Sequence, residues 1–196
     1  MPQFFGPSVA KRIQRIFWIY LTNNFVITGT NDFTNVEPAV SCRFLPITSD
    51  NYFRVREFRD EGRVQEYKEK VTREEIGFFA EHDGKMVGSI WATLNTAGGP
   101  KVVRSYMRVL PNEALVHDIV AGEQFRGMGI GPYMLGQICL ALLGEYRAHK
   151  IVVDVNFRNR RSLRMMEKAG LQLTQRVLSI SAFGRLISQN VLRQYR

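Results

Sequence analysis

Val116-His-Asp-Ile-Val-Ala-Gly-Glu-Gln-Phe-Arg-Gly-Met-Gly-Ile-Gly-Pro-Tyr133 decides how this chain is read. A mostly apolar run reads as a buried strand, the alternate glycines Gly127, Gly129 and Gly131 as a loop, and the residues directly after them as the start of a helix. Glycines let the backbone come close to a ligand, and the amides of such a loop point outward. The helix N-terminus adds the positive end of its dipole, so the segment predicts a phosphate site. The alternative is a glycine-rich turn that binds nothing. Two familiar phosphate loops are excluded. A Walker loop needs Gly-Lys-Ser/Thr, and Gly131 is followed by Pro132-Tyr133. A dinucleotide fingerprint starting at Gly127 needs glycine where Pro132 stands.

Working outward, Ser41–Leu45 reads as a strand, Asp50–Phe58 and Asp60–Thr72 as helices. Gly77–Glu81 and Met86–Leu94 read as strands joined at Asp83-Gly84, a hairpin signal. Asn95–Pro100 is a loop, Ala114–Ala121 a strand and Gly131–Arg147 a helix. Lys150–Val155 is the nearly continuous apolar run expected mid-sheet. Asn159–Ala169 is a helix stopped at Gly170, and Leu171–Ser181 with Ile187–Arg193 a closing hairpin. This order predicts an α/β fold with a mixed sheet.

Residues 1–38 read as an N-terminal arm and 39–196 as one domain. Ser8 caps an expected helix with Val9, Ile13, Ile16, Phe17 and Tyr20 on one side and Lys11, Arg12 and Arg15 on the other. Such a helix docks on its own domain or makes peripheral contact with a membrane surface. Thr22-Asn-Asn, Thr28-Gly-Thr-Asn-Asp and Asn35-Val-Glu-Pro supply turn chemistry that ends the arm.

Composition narrows the class. With 196 residues, 45% hydrophobic and 23% charged, the chain suits one globular domain plus an extension. The apolar run Ile16-Phe-Trp-Ile-Tyr-Leu21 is far short of the ~20 residues that span a bilayer. Two cysteines, Cys42 and Cys139, build no disulfide framework and suit a reducing, cytoplasmic compartment. The net charge of +9 arises entirely from residue 126 onward, where twelve basic residues face three acidic ones. That field attracts an anionic partner such as a phosphorylated cofactor or an acidic carrier protein; its bland alternative is a solvated, solubilising face. Nucleic acid is not expected, because no recognition signature accompanies the charge. No metal is expected either: His82, His117 and His149 are scattered without cysteine pairs.

Gln124-Phe-Arg-Gly127-Met-Gly129 resembles the Gln/Arg-x-x-Gly-x-Gly/Ala pyrophosphate loop of the GNAT acetyltransferase superfamily. Asn159-Arg-Arg-Ser162-Leu-Arg-Met-Met166-Glu-Lys-Ala-Gly170-Leu171 is similar to that family's Asn-x-x-Ala/Ser-x-x-x-Tyr-Glu-Lys-x-Gly-Phe run. The resemblance covers roughly residues 40–185 and implies a mostly antiparallel, twisted sheet flanked by helices, with a splay between two central strands. It also implies acetyl-CoA as acyl donor, or a longer acyl-CoA or acyl carrier protein thioester. By that resemblance, backbone groups of Ile119, Val120 and Ala121 hold the acyl carbonyl and the pantetheine arm. Gln124 opens the loop, the amides of Arg126, Gly127, Met128, Gly129, Ile130 and Gly131 take the pyrophosphate, and Asn159 contacts the pantetheine region.

The family's usual tyrosine, which protonates the leaving thiolate, aligns with Met166, which has no proton to give. Water or another residue then protonates the thiolate, or protonation matters little because thiols are fair leaving groups, or catalysis has been lost. An amine acceptor must be uncharged to attack, so a base near the acyl carbon is expected. His117 and Asp118 stand where the family places it, with side chains on opposite faces of the strand. Imidazole is the better-tuned base; the alternatives are a satisfied core histidine and a structural aspartate. Glu113 and Tyr133 are weaker candidates. The expected reaction is transfer of an acetyl group from acetyl-CoA to the primary amine of a small molecule, such as an amino sugar or amino acid, by direct attack. The rival readings are long-chain transfer from a carrier protein or long-chain acyl-CoA, and a non-catalytic acyl-CoA-binding module.

Overall fold

A computed structural model describes residues 17–195. The nine residues Glu113–Ala121 form β7, the first five of them buried. The valine-rich run Lys150–Asn156 forms β8. The two strands are parallel, with Glu113 opposite Lys150 and Val116 opposite Val153. Parallel strands need a crossover, and helix α2 (Ile130–Gly144) supplies it. Around this pair the sheet is antiparallel, in the order β10-β9-β1-β8-β7-β4-β3-β2. The remaining strands are β1 (Phe17–Ile27), β2 (Arg43–Pro46), β3 (Ile76–His82), β4 (Lys85–Leu94), β9 (Leu173–Ala182) and β10 (Arg185–Gln194).

Alternate residues serve opposite faces, as strand geometry requires. Phe78, Ile90, Val116 and Val153 pack with Ile130, Met134, Ile138 and Leu142 of α2 and with Met166 of α3 (Arg160–Lys168). Phe79 and Trp91 face the other way, onto Tyr67 of α1 (Arg63–Thr72) and Val55 of a 3-10 helix (Tyr52–Glu57). On that same side, Leu115 and Val152 pack against a small hairpin, β5 (Lys101–Val103) and β6 (Met107–Val109). The architecture is therefore the expected mixed α/β sheet with helices on both faces. No helix among the described residues is long and apolar enough to cross a membrane.

Three expectations need correction. Phe17 and Tyr20, assigned above to a helix, lie in β1, and Thr22-Asn-Asn continues that strand instead of turning. Aromatic and β-branched residues suit a strand, and the tertiary setting satisfies the turn-forming asparagines. Asn23 and Asn24 are buried between β8 and β9; Arg176 Nε donates to Asn23 Oδ1 at 3.0 Å and Thr22 Oγ1 to Asn24 Oδ1 at 2.9 Å. Residues 17–27 thus sit inside the sheet, whereas Ser8, Val9, Ile13 and Ile16 lie outside the described residues. The helix expected over Asp50–Phe58 is the shorter 3-10 helix. The β5–β6 hairpin was not anticipated, because its three-residue strands carry too little periodicity to read.

Candidate acyl-transfer site

Beyond Val116 and Val153 the parallel pairing stops. β7 continues against β4, and β8 against β1, so the sheet forks. The freed edge of β7 carries Ile119, Val120 and Ala121, all half-buried. This is the splay implied by the resemblance, and it leaves that edge of β7 without a neighbouring strand.

A bulge shapes the same strand. Trp91 lies opposite His117 and Ser89 opposite Val120, so β7 carries one extra residue there. Asp118 takes the left-handed conformation, φ 50°, which re-aims its side chain. His117 and Asp118 therefore do not point to opposite faces: His117 Nδ1 lies 3.3 Å from Asp118 Oδ2. Regular alternation fails at a bulge, and nothing in the local sequence marks this one.

Asp118 is held tightly. Lys70, only 4% exposed, donates to Oδ2, and Arg104 Nη1 lies 3.3 Å from Oδ1. Burial pushes the Asp118 carboxyl up, but His117, Lys70 and Arg104 outweigh it and hold the group well below the usual carboxylate range. Lys70 also lies 3.1 Å from Glu66 and over the Trp91 ring at 5.1 Å. His117 is buried, with Nε2 at 3.1 Å from Thr93 Oγ1 and 3.4 Å from Glu75 Oε2. These groups line a cavity of about 420 Å³ between α1, β7 and the β5–β6 hairpin.

Across the fork stands Asp154, the first residue of β8 beyond its last pair with β7. It occupies the same face as His117, in register with the Leu115–Val152 pair. Tyr106 Oη donates to its Oδ2 at 2.6 Å, while Oδ1 is buried with no partner among the described residues. Burial pushes the Asp154 carboxyl up, against the opposing pull of Tyr106 and Arg104. Burial and the neighbouring carboxylate also push the Tyr106 phenol up. Tyr106 stacks on Tyr20, ring centroids 4.2 Å apart. The sequence reading missed Lys70, Glu75, Arg104, Tyr106 and Asp154. The one local signal was a carboxylate interrupting the apolar run Ile151-Val-Val-Asp-Val155.

On the opposite side of the fork the glycine loop turns into α2. A 3-10 turn, Glu123–Phe125, holds Gln124 exposed. Gly127 and Gly129 adopt φ 87° and 80°, which only glycine adopts without strain. Of the six amides expected to face an anion, those of Arg126 and Met128 make long internal bonds, to Glu123 O at 3.3 Å and Phe125 O at 3.4 Å. Those of Gly127, Gly129, Ile130 and Gly131 have no protein acceptor among the described residues. Four unpaired amides around a helix N-terminus suit a pyrophosphate. Gly131 has a different cause: a Cβ there would lie 2.5 Å from Met165 Sδ, so it lets α3 approach α2.

Asn159 caps α3, its Oδ1 accepting from Ser162 N at 3.2 Å. Met166 is 1% exposed within the core. Glu113 is tied to Lys150 Nζ at 2.8 Å and to Leu110 N at 3.0 Å, and Tyr133 Oη donates to Cys42 O at 3.2 Å. Both read as structural. Cys139 is fully buried and its thiol is pushed up to about 12, so it offers no thiolate nucleophile.

Known proteins show the same architecture. An acetyltransferase of the GNAT family from Colwellia psychrerythraea superposes with a TM-score of 0.57 at 14% identity, covering 89% of this chain and 61% of that one. One from Novosphingobium aromaticivorans superposes with a TM-score of 0.56 at 11% identity, covering 85% and 65%. This chain thus spans less than two thirds of the length of either. An aminoglycoside N-acetyltransferase solved in complex with CoA matches with a TM-score of 0.53 at 14% identity, over 71% of this chain and 93% of that one. No curated protein matches. The family model described as an acetyltransferase (GNAT) domain matches residues 53–178, from the 3-10 helix through the fork, the glycine loop and α3 into β9, and the chain belongs to that family.

Proposed function

We propose that this chain is an N-acyltransferase that moves an acetyl group from acetyl-CoA to the primary amine of a small molecule. The observation that carries the reading is the continuity of two features: four unpaired amides at Gly127, Gly129, Ile130 and Gly131, and the fork that opens beside them between β7 and β8. The amides would take the pyrophosphate, and the freed edge at Ile119, Val120 and Ala121 would hydrogen-bond the pantetheine arm. The exposed Gln124 and Arg126 stand at the loop's outer rim. Asn159 and Met166 then support the site indirectly, one by capping α3 and the other by packing beneath it.

The acceptor enters from the other face, through the cavity against His117. Asp118, kept ionised by Lys70 and Arg104, orients His117. We assign to His117 the proton that the amine must lose. The imidazolium so formed lies between two carboxylates, Asp118 at 3.3 Å and Glu75 at 3.4 Å, which stabilise its charge. The amine then attacks the thioester carbonyl directly. The polar walls at the fork favour a short acyl group over a long chain.

Titration of the protein with acetyl-CoA, dodecanoyl-CoA and free CoA, read as a thermal shift, tests this. At about a hundred times Kd, a donor stabilises the fold by roughly 2.7 kcal/mol. Stabilisation by acetyl-CoA, followed by thiol release with an amine, supports the reading. A preference for dodecanoyl-CoA redirects it to lipid acyl transfer, and stabilisation without thiol release to a binding module.

A further inference from the structure

We propose that the end of the sheet formed by the start of β1 and the β9–β10 turn is a docking surface for an anionic lipid membrane. The inference is independent of the acyl-transfer chemistry.

Eleven large apolar side chains are exposed among the described residues, and five of them, Phe17, Trp18, Ile19, Phe183 and Ile187, gather at this one end. Phe17 lies opposite Ala182 and Ala182 opposite Arg185, so one row of residues crosses the three strands there. Strand alternation sends Phe17 and Ile19 to one face and Trp18 to the other, and the apolar side chains wrap the end of the sheet. The Phe17 and Phe183 rings lie 6.4 Å apart, and Trp18 stacks on Tyr20. A contiguous exposed cluster of this kind marks an interaction site. Three strand residues span about 10 Å, the depth to which interfacial segments sink at the boundary of headgroups and acyl chains. Tryptophan and tyrosine favour that boundary.

The turn itself is strained. Phe183 and Gly184 have φ 50° and 73°, the two positive angles of a type I′ turn, which favours Asn-Gly. A bulky residue there is costly and persists where structure or function demands it. The Phe183 ring is 77% exposed, so burial within the fold does not offset the strain.

Charge selects the occupant. Residues 1–31 and 168–196, which supply β1, β9 and β10, hold eight basic residues and no acidic one. Arg185 stands at the tip, and Lys11, Arg12 and Arg15 precede Phe17 by no more than six positions. Each cation near an anionic lipid surface strengthens attachment to it. A second copy docked tip to tip would oppose like charges. Pairing of two copies along the β10 edge is interrupted by bulges between Leu186 and Ser188 and between Val191 and Arg193. Thr22 lies opposite Asn156, the last residue of β8, so residues 17–21 run past β8 at the end where it parts from β7. A docked tip therefore turns the open end of the fork towards the lipid.

Sedimentation with vesicles of phosphatidylcholine and phosphatidylserine, against phosphatidylcholine alone, tests the assignment. The protein is expected to bind the anionic vesicles preferentially, and less as salt is raised. Phe183→Asn suits the turn, so its melting temperature is expected to hold or rise while vesicle affinity falls about tenfold. Arg185→Glu is expected to lower the affinity several-fold at an unchanged melting temperature. No binding to the anionic vesicles overturns the proposal. Equal binding to both kinds of vesicle, or binding that neither variant weakens, also overturns it. So does a dimer in sedimentation velocity that Phe183→Asn dissociates, which assigns the tip to a second copy. The thermal shift with acetyl-CoA tests acyl transfer separately from all of these.

Discussion

Buried Lys70 of α1 bonds Asp118 at the β7 bulge, 48 residues further along the chain, and the pair anchors the wall of the cavity to the sheet. Lys70→Met leaves the Asp118 charge with only Arg104 and His117. Removing one partner of a buried pair costs about 3–5 kcal/mol, so a drop of about 3 kcal/mol is expected in urea unfolding at neutral pH. Asp118 also sets a pH dependence. Its carboxyl is held below the ordinary 3.8, so its stabilisation is complete above that value and is lost as pH falls below it. Asp118→Asn is expected to flatten acid unfolding in that range.

Gly127 and Gly131 are expected to fail differently. At Gly127 a Cβ meets nothing within 4 Å, so Gly127→Ala strains only the backbone, costing about 1 kcal/mol, and turns the loop amides. Its acetyl-CoA-induced thermal shift should shrink far more than its melting temperature. Gly131→Ala meets Met165 and should lose about 1 kcal/mol of stability by crowding. A double-mutant cycle with Met165→Ala should recover most of that loss.

Tyr106 donates to Asp154 where the strands part, and the two variants of this pair are expected to act in opposite directions. Tyr106→Phe leaves Oδ2 without its donor and loses the Tyr106 hydroxyl, costing about 1–3 kcal/mol. Asp154→Asn keeps an acceptor and removes an unfavourable ionisation. Because the folded-state pKa is raised, the unfolded chain loses this proton first, and wild-type stability declines as pH rises from 3.8 towards the raised value. Asp154→Asn should therefore gain stability over the wild type above that window, read from denaturation midpoints across pH.

Met166 stands where the family carries a tyrosine, yet Met166→Tyr is not expected to restore a proton donor. The side chain is 1% exposed among apolar residues of α2 and the sheet. A larger, polar ring there overpacks the core and costs about 1–3 kcal/mol. A lower melting temperature without faster thiol release is the expected result.

His117→Ala removes the imidazole between Asp118 and Glu75. Turnover should fall by about 10²-fold or more, the usual contribution of a general base, while acetyl-CoA still stabilises the variant. Unchanged turnover would sink the assignment of the proton to His117.

What the sequence determined by itself was whatever local chemistry dictates. Alternating glycines before an apolar helix encode a tight turn with outward amides, and the valine run at 151–155 encodes a central strand. Asp83-Gly84 encodes a hairpin, and Gly170 a helix stop, because these depend on residues a few positions apart. The tertiary structure decided what depends on distant partners. β1 is a strand because β8 and β9 pair with it on both sides, which overrides its helix-like spacing and its asparagines. Asp118 shares a face with His117 because β4 is one residue short opposite it. Lys70, Arg104 and Asp154 reach one site from three elements far apart in the chain, and no period or motif connects them. Packing and electrostatics brought them together, and those act through space.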